Sequence, residues 1–249
     1  MEKIASPKPV QGDEDFLLPF ERHALSGPYR EFVRIRRNNT FASMQRHPHH
    51  WERFQLLDKI FLREIEDLRR VLNASHTVVV SLFIRAYSRI RLVPDLAFAG
   101  CLTESAEMLR GAVESVAQAH RILKDPDLAI VWLQKDRDKD ALRHYKEAFE
   151  KDKKTRLFKD LPAMQYYWAE FSEWAHSNVK SIRSRIEQGE ESGTIMANFQ
   201  FFEVDSARLV PAFNAMLDAI QHMETIFFDG FRTRLNLDVE LLRMRTSLG

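Results

Sequence analysis

Apolar residues recur three and four positions apart over most of this chain. From about Trp51 to Leu72, Phe54, Leu57, Ile60/Phe61, Glu64/Ile65 and Leu68 mark a mostly apolar stripe on one face of a long helix. A second helix follows the break at Asn73-Ala74-Ser75 and is expected to stop near Arg91, ahead of Pro94. The third, about 95–124, has the clearest pattern. At roughly 100° per residue, Phe98, Cys101, Leu102, Ser105, Leu109, Ala112, Val113, Val116, His120 and Leu123 share a broad arc, opposite Glu104, Glu107, Glu114, Gln118 and Arg121. Asp125-Pro126 ends it, and Asp127 is placed to cap a helix over about 127–152. In that helix Asp136-Arg137-Asp138-Lys139-Asp140 reads as a solvated face or a local break. Pro162 opens a helix to about 188, closing at Gly189-Glu190-Glu191-Ser192-Gly193, and 194–204 reads as an extended connection. Ser206 is placed to cap a last long helix to about Phe228, before a basic tail with Arg232, Arg234, Arg243 and Arg245.

The first 50 residues lack this regularity. Residues 1–20, with their prolines and Asp13-Glu14-Asp15, read as an extended arm that docks Phe16-Leu17-Leu18 onto the body. A short helix is expected over 28–38, then a loop at Arg46-His47-Pro48-His49-His50. Runs of β-branched residues are nearly confined to Thr77-Val78-Val79-Val80, which leaves little material for strands. The pattern therefore predicts an all-α protein: a single helical bundle of about five to seven helices over residues 51–249, with 1–50 as an N-terminal arm and short helix.

Composition narrows the class without naming a function. With 249 residues, 45% of them hydrophobic, the chain can bury a sizeable core. The lone Cys101 excludes an internal disulfide and a paired thiol site, which fits a reducing cytoplasm. Met1-Glu2-Lys3-Ile4-Ala5-Ser6-Pro7 lacks the apolar core of a signal peptide, and no window approaches a membrane span, so a cytoplasmic protein with no membrane partner is expected. The net charge of +1 hides an asymmetry: residues 22–91 hold 14 Lys/Arg against 6 Asp/Glu, and 92–249 hold 21 against 25. Arginine outnumbers lysine 25 to 12, and its planar fork suits phosphate or carboxylate.

Two helical segments set polar groups beside an apolar stripe. In Met108-Leu109-Arg110-Gly111-Ala112-Val113-Glu114-Ser115, Arg110 and Glu114 are four apart and can pair, either as an exposed ion pair or at the edge of a cleft. In Phe171-Ser172-Glu173-Trp174-Ala175-His176-Ser177-Asn178, Ser172 and His176 are also four apart. There a seryl hydroxyl can hold one imidazole nitrogen and leave the other free, or fix the register between helices. Asn178 falls inside the stripe of Tyr167, Trp168, Phe171, Trp174 and Ile182, and so needs buried partners.

An Arg-x-x-x-Glu helix followed some 60 residues later by a Ser-x-x-x-His-x-Asn helix end resembles a family of bacterial all-helical proteins of unknown function, distantly related to HEPN domains. The resemblance spans about 55–228, and Ser177 stands where that family often has proline. It implies the helical fold, a polar cluster of Arg110, Glu114, Ser172, His176 and Asn178, and a bacterial defence or stress setting. It supplies no established activity.

HEPN ribonucleases use an Arg and a His on one helix with four to six residues between them. Arg69 and Arg70 with His76, and Arg137 with His144, have that spacing, about as many pairs as chance gives. His47-Pro48-His49-His50 lacks a nearby carboxylate or thiol set for zinc, and no phosphate loop, nucleophile elbow or zinc-protease motif occurs. Cys101 lies in the apolar arc, as a buried inert thiol does. The leading expectation is thus a helical-bundle binding protein without a metal or cofactor. The alternatives are a metal-independent HEPN-like ribonuclease, which implies a homodimer, and an accessory protein that binds nucleic acid through residues 22–91.

Overall fold

The computed structural model describes residues 23–68, 74–154, 156–175, 186–188, 195–197 and 202–248. In chain order the helices are α1 (Gly27–Arg46), α2 (Pro48–Leu68), α3 (Ala74–Ala97), α4 (Leu102–Lys124), α5 (Leu128–Gln134), α6 (Lys139–Tyr145), α7 (Pro162–Ala175), α8 (Ser206–Phe231) and α9 (Val239–Thr246). A π-helical turn, Lys146–Glu150, extends α6. Two three-residue strands, β1 (Ile186–Gln188) and β2 (Ile195–Ala197), pair antiparallel with Ile186 opposite Ala197. Among the described residues the protein is all-α apart from this hairpin.

Helix α4 is central because its apolar arc is wide enough to meet several neighbours. It packs against α3, α7 and α8, and α8 also packs on α2. Leu109, Ala112, Val113, Val116 and Ala119 are fully buried along it, and Phe54, Leu57, Ile60, Phe61, Ile65 and Leu68 form the expected stripe of α2. Aromatic rings join α3 and the turn after it to α8: Phe83 meets Phe227 edge-on at 4.5 Å between centroids, and Phe98 stacks on Phe213 at 4.7 Å.

Several boundaries depart from the expected ones. Pro94 does not stop the second helix, which runs to Ala97, and the expected 95–124 helix begins only at Leu102. Gly100 makes the break. Its φ of +90° closes a Schellman cap in which Cys101 N–H donates to Leu96 O and Gly100 N–H to Ala97 O, both at 2.9 Å. A side chain there would also strike the backbone of Glu203, whose N–H donates to Gly100 O at 2.9 Å. The expected 127–152 helix is cut at Asp138, whose carboxylate accepts from Ala141 N–H at 2.8 Å and caps α6. This cut, and α9 in the expected basic tail, raise the helix count above five to seven.

Near the N-terminus, the short helix expected over 28–38 runs from Gly27 to Arg46, and the expected histidine loop is replaced by the start of α2 at Pro48, where a missing N–H costs nothing. Strand β1 replaces the helix expected to reach 188, while β2 fits the extended reading of 194–204. Asp205, rather than Ser206, caps α8. The arm expected over 1–20 lies outside the described residues.

Candidate functional site: an arginine-rich cleft beside α4

The arc that buries Leu109, Ala112 and Val113 leaves Arg110, Gly111, Glu114 and Gln118 half-buried at its edge. Beside them α3 sets Arg85 and Arg89 one turn apart on the same face, and a cleft of about 650 Å³ lies between these helices and the 135–150 region. Gln118 forms part of its lining; its amide accepts from Trp132 Nε1 at 3.0 Å and donates to the Tyr145 hydroxyl at 3.1 Å. Lys135 also lines the cleft, with Nζ 4.2 Å from the centre of the Trp132 ring.

Arg89 lies across Gly111. A Cβ at that glycine would come 2.7 Å from Arg89 Cζ, so the absent side chain lets the guanidinium rest on the helix backbone. Glycine inside a helix costs about 1 kcal/mol relative to alanine. Gly111→Ala is therefore expected to leave the melting temperature unchanged or slightly raised, because only the far end of the Arg89 side chain must shift. Thermal melting of the variant beside wild type checks this.

Burial and the Arg85 charge lower the pKa of Arg89, Glu114 opposes them, and Arg110 adds to the lowering. Among the described residues no carboxylate lies within ion-pair distance of Arg85 or Arg89. Glu107, Asp136 and Glu150 also line the cleft.

Glu114 is engaged elsewhere. Its Oε1 accepts from Trp168 Nε1 of α7 at 2.7 Å and from Lys153 Nζ at 2.9 Å. Burial would raise its pKa, but the bonds from Trp168 and Lys153, with the charges of Lys153 and Arg110, hold it below the usual carboxylate range. A carboxylate so held is a poor proton acceptor and a good fastener, joining α4, α7 and the 151–154 turn.

Of the other residues expected in the polar cluster, Ser172 is half-buried on α7 and donates to the Trp168 carbonyl of its own helix at 2.6 Å. Ala175 at the end of α7 lines the cleft, whereas His176 and Asn178 lie outside the described residues. Arg69 and Arg70 lie outside them too; His76 sets its ring edge-on to Phe231 at 6.0 Å, and burial, then the Arg234 charge, lower its pKa. Arg137 precedes α6 and pairs with Asp138 at 2.9 Å, so it does not share a helix with the exposed His144.

Elsewhere, His47 and His50 pack on Phe213, His50 Nε2 lies 3.0 Å from Asn214 Oδ1, and the described residues contain no cluster suited to a metal ion. Burial pushes the Cys101 thiol up to about 11.

The basic excess of residues 22–91 is partly spent inside the molecule. Arg36 pairs with Asp95, Arg53 with Asp218 and Arg63 with Asp238, all carboxylates from the acidic remainder of the chain. Arg85 and Arg89 belong to the same segment and face the cleft instead. The sequence reading passed over them. Two like charges four apart on one helix were the available signal.

No family model, curated protein or solved structure matches the chain. No described helix is long and apolar enough to cross a membrane.

Proposed function

We propose that this is a helical-bundle binding protein whose cleft takes the phosphate group of an anionic partner. The observation that carries this reading is the meeting of Arg85, Arg89 and Arg110 at one cleft, with no carboxylate within ion-pair distance of Arg85 or Arg89 among the described residues. The like charges of Arg85 and Arg89 on adjacent turns of α3 are unfavourable until an anion joins them, and planar guanidinium groups bind phosphate through paired hydrogen bonds. Nucleic acid is the natural macromolecular source of that group, since the basic segment supplies two of the three arginines. The HEPN-like resemblance would place such binding in a bacterial defence or stress setting.

Calorimetric titration with tripolyphosphate and with single-stranded RNA, each at low and high salt, tests the reading. Binding of both, weakening as salt rises, is expected from counterion release; no binding of either at low salt overturns it. In the same preparation RNA should remain intact, and any cleavage should be equal in wild type and His144→Ala. His144 is exposed on α6 and its sequence partner Arg137 is tied to Asp138.

A further inference from the structure

Far from the cleft residues in sequence, two glutamates sit in the apolar interior. Glu64 of α2 is 0% exposed and Glu224 of α8 is 1% exposed. A single guanidinium reaches both: Arg245 of α9 approaches Glu64 Oε1 at 3.3 Å and forms an ion pair with Glu224. The Arg245 guanidinium also covers the Phe228 ring at 3.5 Å from its centre. Thr225 Oγ1 lies 3.5 Å from Glu224 Oε2, while Glu64 Oε2 is buried with no hydrogen-bond partner.

Two ionised carboxylates and one guanidinium would leave a net negative charge in a nearly dry site, and one carboxylate oxygen would have nothing to accept from. Burial of that kind is strongly unfavourable. A proton on Glu64 removes the excess charge and leaves Glu224 as the ionised partner of Arg245.

We propose that Glu64, Glu224 and Arg245 form a proton-dependent clasp that holds the C-terminal helix α9 on the bundle. The docked state keeps a proton on Glu64; when α9 lifts, water reaches the carboxylates and the proton leaves. The other charges near the clasp are Asp67 on α2, which also disfavours ionisation of Glu64, and Arg232, 5.9 Å from the centre of the same Phe228 ring; the Arg63–Asp238 pair joins α2 to the N-cap of α9. Burial is the main cause that raises the Glu64 pKa to about 8, against an ordinary value of 4.5; Arg245 opposes it and Asp67 adds to it. Because the folded value is the higher one, the contribution to docking is full below pH 4.5 and is lost as pH rises through about 8. Opening uncovers Leu241, otherwise fully buried, and the Phe228 ring.

Hydrogen exchange of the amides in 239–248, corrected for intrinsic rates, measures the open population. For one linked proton it should grow by up to about tenfold per pH unit, levelling above about pH 8 where Glu64 has ionised in both states. In Glu64→Gln, which keeps the shape but has no charge to gain, the curve should be flat. An open population independent of pH in wild type, or one with the same slope in Glu64→Gln, overturns the clasp. If Glu64→Gln fails to fold, the wild-type curve alone decides: a rise that does not level off above about pH 8 contradicts the proposal.

Discussion

Glu114→Ala is expected to lower the stability of the bundle by about 3 kcal/mol, since hydrogen bonds to a charged group contribute roughly 1.5–3 kcal/mol each. Two such bonds are lost together. The indole N–H of Trp168 and the ammonium of Lys153 are both part-buried, and removing their common acceptor leaves two donors unsatisfied as well as unfastening α7 from α4. Glu114→Gln should fall in between, because an amide oxygen can still accept from Trp168 but cannot balance Lys153. The folded pKa of Glu114 is depressed, so its contribution is present above the unfolded value of 4.5 and is lost as pH falls through the folded one. The destabilisation by Glu114→Ala should therefore shrink in acid. Urea unfolding at neutral and acid pH reads this directly, and a loss below about 0.5 kcal/mol at neutral pH, the range of an exposed ion pair, would contradict the fastening role.

The second large effect is on binding. Replacing Arg85 and Arg89 together with alanine should weaken tripolyphosphate binding by about tenfold to a hundredfold, the range for losing one to two charge-assisted contacts. The same change should not weaken the fold. Like charges at i,i+4 disfavour a helix by roughly 0.2–0.5 kcal/mol, so their removal is neutral or slightly stabilising. Opposite signs for affinity and stability separate a ligand-facing pair from a structural one.

Periodicity made the helical class legible because burial on α2, α4 and α8 follows one face of each helix closely. Phe54 through Leu68, and Leu102 through Val116, are buried where the spacing places them. Boundaries were less legible, since each depends on a local backbone event. Gly100 reads as an ordinary small residue until its positive φ and the approach of Glu203 are known, and Asp138 looks like one member of a charge run until it accepts from Ala141. Proline misled twice: Pro48 opens a helix and Pro94 sits inside one.

The candidate site was partly legible for a related reason. Spacing placed Arg110 and Glu114 on one helix edge, but the donors that engage Glu114, Trp168 and Lys153, come from 54 and 39 residues further along the chain. No pattern within a single helix reports that. The basic asymmetry of 22–91 was visible, yet which arginines would be neutralised depended on long-range partners such as Asp218 and Asp238. Arg85 and Arg89 acquire meaning only once those pairings are known. The buried Glu64 likewise sits in register with its apolar stripe, where the sequence offers no hint of Arg245 from the other end of the chain.

The central claim is that the cleft arginines, and not basic charge in general, hold the anion. Isothermal calorimetry with tripolyphosphate compares wild type, the Arg85→Ala/Arg89→Ala variant and Arg46→Ala, an exposed arginine that does not line the cleft. The account predicts at least a tenfold loss of affinity in the double variant, as expected for a lost charge-assisted contact, with Arg46→Ala indistinguishable from wild type. Equal affinities in all three, or a loss in Arg46→Ala as large as in the double variant, would contradict it.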